Sequence, residues 1–206
     1  MTTISIIGSG NMATAIGTRA AKHGHTIEVM SRDTAKAQAL ADKIGNGATA
    51  GTFGATPLGD IVIVAVPYTN AVSVVANYGD ALAGKVIIDI SNTFNADATG
   101  LVTPDGTFGA QEIAKALPVS AQVVKAFNTV FGHVLAQGRS LDVFFAGDDA
   151  RAKASVSAFI ESLGLRPLDV GGLEMARFLE AVGPLTMGLA QNGVGFNFAL
   201  GVTVFS

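Results

Sequence analysis

The 206-residue chain contains no cysteine. That absence excludes disulfides, thiolate catalysis and cysteine metal sites, and it leaves the redox compartment open. Charge is scarce too: Asp, Glu, Lys and Arg make up 14% of the residues, against about a quarter in an ordinary globular chain. The formal net charge is −3 and there is no basic run, so nothing points to nucleic acid. The N-terminus lacks a basic stretch, and Gly8 breaks its apolar segment, which therefore reads as a strand and not a signal peptide. No charged residue follows Glu180, but Pro184, Gln191, Asn192, Gly193, Gly195 and Asn197 interrupt the tail too often for a membrane helix. A cytoplasmic protein without membrane insertion is expected. With so little charge and a mean hydropathy of +0.46, the chain carries more apolar surface than a monomer can hide, which predicts a homo-oligomer.

What is present begins with Ile4-Ser5-Ile6-Ile7-Gly8-Ser9-Gly10-Asn11-Met12-Ala13. A short apolar strand runs into Gly-x-Gly-x-x-Ala, and Ala13, Ile16, Gly17 and Ala20 then recur at helical spacing. Gly8 and Gly10 would let backbone amides approach a pyrophosphate, whose charge the helix N-terminus favours. Such a loop is weak evidence alone, because strand-to-helix turns use glycine pairs for other reasons. Context strengthens it. Thr26 to Met30 reads as a second strand, and the residue at its end, about 20 positions beyond the glycines, is where an adenosine ribose is met. An acidic residue there would select NAD. Ser31, Arg32 and, one helical turn onward, Lys36 instead offer a hydroxyl and two cations, which suit the 2′-phosphate of NADP. Asp33 is either a ribose acceptor or the cap of a helix over Thr34 to Ile44.

Downstream, strand and helix patterns alternate. Gly45 to Gly59 forms a loop with one short strand, and Ile61 to Val66 is a β-branched run stopped by Pro67. A helix from Thr69 to Leu82 leads to a strand over Val86 to Ile90, then to Ser91-Asn92-Thr93 and a long polar loop from Phe94 to Gly109. A turn or two of helix over Gln111 to Leu117 precedes a strand over Gln122 to Phe127, which ends at Asn128-Thr129. Strands over Leu141 to Ala146 and Arg166 to Val170 flank a helix from Asp149 to Leu163. Met175, Phe178, Leu179, Val182, Leu185 and Leu189 mark one face of a last helix, which Pro184 should kink. The pattern is that of a Rossmann-type, doubly wound, mostly parallel α/β sheet with a small C-terminal helical appendage. Residues 1–170 form the NADP-binding part, and 171–206 form a helix and tail for dimerisation and the second-substrate pocket.

Ligands of such sheets lie beyond the carboxyl ends of the strands. There the chain offers Val66-Pro67, Ser91-Asn92-Thr93 and Asn128-Thr129: hydroxyls and amides, with no Ser-His-Asp set and no carboxylate pair. Hydride transfer between a nicotinamide and a second ring needs little more than two flat groups held face to face. His133 is the one histidine near a strand end, and either serves the substrate pocket or packs under a helix start. Asn128, Thr129 and His133 are the candidate catalytic residues. His23 and His25 flank Gly24 at a helix end and strand entry, and no metal site is expected.

Several segments together resemble one family: Ile6 to Ala13, Ser31-Arg32, Asp60 to Pro67, Val124 to Thr129, Ala146 to Asp149 and Gly164-Leu165-Arg166-Pro167-Leu168-Asp169. They are similar to the NADPH-dependent reductases of the deazaflavin coenzyme F420, with the oxidoreductase domain of the six-transmembrane metalloreductases as a more distant relative. The resemblance implies an NADP-binding loop of Ser9, Gly10, Asn11 and Met12, a 2′-phosphate clamp of Ser31, Arg32 and Lys36, and nicotinamide contacts at Val66, Pro67 and Ala126. It also implies a homodimer in which the C-terminal helices pair. The segment from Ser91 to Gln111 departs from the archaeal members, and Ser91, Asn92 and Thr93 are expected in the second-substrate pocket. Three functions stay open: hydride exchange between NADP(H) and F420; NADPH-dependent reduction of a flavin, ferric chelate or small carbonyl compound; and an NADPH sensor without turnover.

Overall fold

The computed structural model describes residues 2–95 and 100–205. Its centre is one eight-stranded sheet. In chain order the elements are β1 (Thr3–Ile7), α1 (Asn11–Lys22), β2 (Thr26–Ser31), α2 (Thr34–Ile44), β3 (Thr49–Thr52), β4 (Ile61–Val64), α3 (Tyr68–Tyr78), β5 (Val86–Asp89), α4 (Gly109–Lys115), β6 (Gln122–Ala126), α5 (Gly132–Leu135), β7 (Asp142–Gly147), α6 (Ala150–Ser162), β8 (Arg166–Asp169) and α7 (Ala176–Leu189). The strand order is β3-β2-β1-β4-β5-β6-β7-β8. β1 to β6 are mutually parallel, β7 is antiparallel to β6, and β8 runs parallel to β7. The chain reverses direction across β1, so a crevice opens beyond the carboxyl ends of β1 and β4, where ligands bind in sheets of this kind.

Apolar residues on both sides of the central strands explain why helices cover both faces. One core joins Ile4, Ile6, Ile16, Val29, Ile63, Val124, Phe127 and Phe159 under α1, α2 and α6. The other joins Ile7, Met30, Val62, Val74, Ile87 and Ile113 under α3 and α4. Asp33 caps α2, its Oδ1 accepting from the Lys36 amide at 3.1 Å.

Three details differ from the sequence reading. Helix α3 stops at Tyr78, and residues 79–82 tighten into a 3-10 turn, because glycine and aspartate at 79 and 80 are weak helix formers. Helix α7 continues through Pro184 and loses helical geometry only at Asn192 and Gly193. Its apolar residues do not all face inward: Leu179, Glu180, Gly183 and Thr186 are buried, while Phe178 and Leu185 are exposed. Among the described residues no helix is long and apolar enough to cross a membrane.

Candidate functional site

The cleft beyond β1, β2 and β4 has a volume of about 290 Å³ and is lined by Gly8, Ser9, Gly10, Ser31, Arg32, Lys36, Val66 and Pro67, among others. Eight of the expected cofactor residues thus meet in one place. Gly8 is held at φ +132°, and a Cβ there would collide with the Ala65 carbonyl, so this position admits only glycine. Gly10 differs: a Cβ built on it meets nothing within 4 Å. The open space lies at the N-terminus of the 12-residue α1, whose first amides have no side-chain cap and can receive an anion. At the end of β2 the Ser31 hydroxyl lies 3.5 Å from that of Ser9. Lys36 pairs with Asp33 at 3.4 Å, and among the described residues Arg32 has no acidic partner. The donor set therefore fits a nucleotide with a phosphate on its ribose, and Asp33 is occupied as helix cap and lysine partner.

Asn11 and Met12 follow the loop but face elsewhere. Asn11 lines a wider hollow of about 730 Å³ between α1 and α5, beside Lys22, His23, Lys43 and His133. The Met12 sulfur lies against Gly132.

Beyond β5 and β6 the wall is polar and closely bonded. Asn92 and Asn128 interlock: the Asn92 amide donates to the Asn128 carbonyl, the Asn128 amide donates to the Asn92 side chain, both at 3.1 Å, and the Asn128 amide also donates to the Leu179 carbonyl at 2.8 Å. Phe127, between Ala126 and Asn128, sits at φ +63°, an uncommon conformation for a bulky residue. It turns the chain sharply off the strand. Among the described residues the Ser91 hydroxyl, the Asn128 side-chain oxygen and the Thr129 hydroxyl are buried without a hydrogen-bond partner. Orphaned polar groups at the strand ends suit a ligand such as a carboxamide, which can both donate and accept.

Two expected contacts lie behind this wall. Ala126 is fully buried in β6. Thr93 is fully buried too, and its hydroxyl donates to Glu180 at 3.0 Å, because α7 packs over the segment that follows β5.

That contact leads to a feature the sequence reading missed. Lys125, fully buried, donates to Asp89 Oδ2 at 2.8 Å and the Ser91 carbonyl at 2.7 Å, and pairs with Glu180 Oε1 at 3.1 Å. Glu180 also accepts from the amides of Gly109 and Ala110 at 2.8 and 3.0 Å. A carboxylate pair is therefore present after all, bridged by a lysine and sealed from solvent. The available signal was a charged residue inside each of three apolar segments, at 89, 125 and 180. Their meeting required α7 to fold back across the sheet, which strand and helix periodicity does not reveal.

His133 is exposed, stacked on Phe131 at 5.7 Å, with its Nε2 2.7 Å from the Phe196 carbonyl. It is not packed beneath a helix: it lines the open hollow between α1 and α5. Among the described residues no cluster of His, Asp and Glu could hold a metal ion.

Comparison with known proteins fits this geometry. A family model described as "NADP oxidoreductase coenzyme F420-dependent" matches residues 3–93. The F420-dependent NADP reductase of Methanocaldococcus jannaschii is 30% identical over 202 residues, covering 88% of this chain and 89% of the relative. Metalloreductase STEAP3 of Rattus norvegicus is 29% identical over 182 residues, covering 87% of this chain, which spans only 36% of that relative's length. The crystal structure of a candidate F420-dependent NADP reductase from Arthrobacter sp. FB24 superposes with a TM-score of 0.86 over 99% of this chain and 100% of that one; at 24% identity it speaks for the fold alone. The glycine loop, the basic end of β2 and the length-matched archaeal relative converge: the chain belongs to the F420-dependent NADP oxidoreductase family and is an NADP-dependent oxidoreductase.

Proposed function

We propose that the protein transfers a hydride between NADP(H) and a deazaflavin coenzyme of the F420 class, as a cytoplasmic homodimer. The carrying observation is the cleft that joins the open glycine loop at Gly10 to the basic strand end at Ser31, Arg32 and Lys36, in a chain that matches an F420-dependent NADP reductase along nearly its whole length. When bound, NADPH supplies the hydride. Ser9 and Gly10, with the first amides of α1, hold the pyrophosphate; Ser31, Arg32 and Lys36 hold the 2′-phosphate. Val66 and Pro67 support one face of the nicotinamide, and Asn92, Asn128 and Thr129 orient its carboxamide. Residues 1–170 bind the nucleotide, while 171–206 close the acceptor side and pair the protomers.

The match to a metalloreductase over 87% of the chain favours a flavin or ferric chelate as the second reading for the acceptor. Anaerobic turnover with NADPH separates the two. F420 should be reduced at least about tenfold faster than FMN, FAD or a ferric chelate. Faster reduction of a flavin or chelate would install the second reading, and no turnover with any acceptor would favour a sensor.

A further inference from the structure

The buried cluster at 89, 125 and 180 carries an excess of one negative charge. Glu180 takes four donors, from Lys125, Thr93, Gly109 and Ala110, and Asp89 takes two, from Lys125 and the Ser91 amide. Every partner of the two carboxylates in these contacts is a donor. Lys125 directs its ammonium to Asp89, Glu180 and the Ser91 carbonyl, and among the described residues no second cation pairs with either acid. One lysine and one acid would suffice to tie α7 to the sheet, and leaving a second acid buried is costly. The extra carboxylate needs another explanation.

Its position suggests one. Val64, Asp89 and Lys125 are in register across β4, β5 and β6. With strands about 4.8 Å apart and a rise of about 3.3 Å per residue, the cluster lies roughly 10 Å behind the wall formed by Val66, Pro67 and Asn128. Tyr68, which follows Pro67, feels the field: its phenol is pushed up by burial first, then by the charges of Glu112, Glu180 and Asp89.

We propose that Asp89, Lys125 and Glu180 act together as a buried negative charge that favours the oxidised, cationic nicotinamide over the reduced, neutral one. The inference rests on the nucleotide placement proposed above. When NADPH gives its hydride, one hydrogen nucleus with two electrons, to a deazaflavin or flavin ring, the nicotinamide gains a positive charge. A negative charge at that distance, in an interior of effective dielectric near 20, favours the cationic form by about tenfold. Glu180 and Asp89 are positioning residues in this scheme and touch no reacting atom.

The test compares dissociation constants of NADP⁺ and NADPH for the wild type, Glu180→Gln, Asp89→Asn and Glu180→Asp, with 2′,5′-ADP as a probe of the adenosine half. The two neutralised variants should lose affinity for NADP⁺ relative to NADPH by about tenfold, which is about 30 mV for a two-electron couple. Glu180→Asp should keep the wild-type ratio, and 2′,5′-ADP should bind all folded variants alike. If either neutralised variant folds, binds 2′,5′-ADP and leaves the ratio unchanged, the cluster is a structural tie and the inference is overturned. If the wild type does not bind 2′,5′-ADP, the nucleotide placement itself is overturned, and the inference with it.

Discussion

At the residue scale the most legible positions were those whose chemistry faces solvent. Arg32 and Lys36 stand out because an acid is expected at the end of β2, and Asp33 resolves to the helix cap that its spacing to Lys36 allowed. Buried polar residues were harder to place, since their partners lie far away in sequence. Arg19 gives its guanidinium to the carbonyls of Leu163, Leu135 and Arg139, more than 110 positions downstream. His25 is another. Its ring meets Phe159 edge-on at 5.4 Å, and its Nε2 lies 2.7 Å from the Ser162 hydroxyl. Burial, the largest influence, holds this imidazole below its ordinary 6.5, despite an opposing interaction of the ring N–H with the Thr2 backbone oxygen. As pH falls through 6.5 the unfolded ring takes a proton that the folded ring refuses. Stability from this group is therefore complete above 6.5 and declines below it. Thermal melts from about pH 8 to about pH 5 should show a falling Tm on the acid side, and His25→Phe should flatten that limb. An equal acid limb in the variant would assign the loss to other groups.

At the element scale the β-branched run at Ile61–Val64 and the glycine loop after β1 were legible because parallel strands buried on both faces leave an uninterrupted apolar signature. Capping chemistry helped to place α2, where Asp33 accepts from the amide three residues on; Asp149 caps α6 in the same way, a cap the strand and helix pattern had not singled out. The last helix was legible in position and not in orientation. Its apolar residues cover more than one face, and the buried face is set by Glu180, which tertiary contacts draw inward to Lys125 against its own hydropathy. Strand β7 was legible as a strand, but its antiparallel direction was not, because the strand pattern does not show whether a connection carrying only the four-residue α5 crosses back over the sheet. The polar strand ends at Asn92 and Asn128 were legible as a cluster. Their mutual hydrogen bonds, and the turning of Thr93 toward Glu180, emerge only once α7 is in place.

At the scale of the whole molecule, surface left uncovered is the main consequence of a chain so poor in charge. Phe178 and Leu185 on α7 are 58% and 56% exposed, and an apolar hollow beside them is lined by Phe144, Val170, Met175, Leu179, Val182 and Leu200. Aromatic contacts of Phe131 with Phe196 and Phe198 hold the tail nearby. A patch of this kind calls for a partner, and a second copy of α7 is the proposed one. Sedimentation at micromolar concentration should give a dimer, and Phe178→Glu combined with Leu185→Glu should give a folded monomer. A monomeric wild type would overturn the pairing.

The central claim, that the cleft beyond β1, β2 and β4 binds NADP(H) through the basic end of β2, is tested most directly by titrating NADPH and NADH into the wild type and Arg32→Ala. One charge-assisted contact to the 2′-phosphate is worth about 1.5 to 3 kcal/mol, so NADPH should bind at least about tenfold more tightly than NADH to the wild type. Arg32→Ala should remove most of that preference and leave NADH affinity nearly unchanged. Equal affinity of the wild type for the two nucleotides, or an equal loss of both in the variant, would contradict the account.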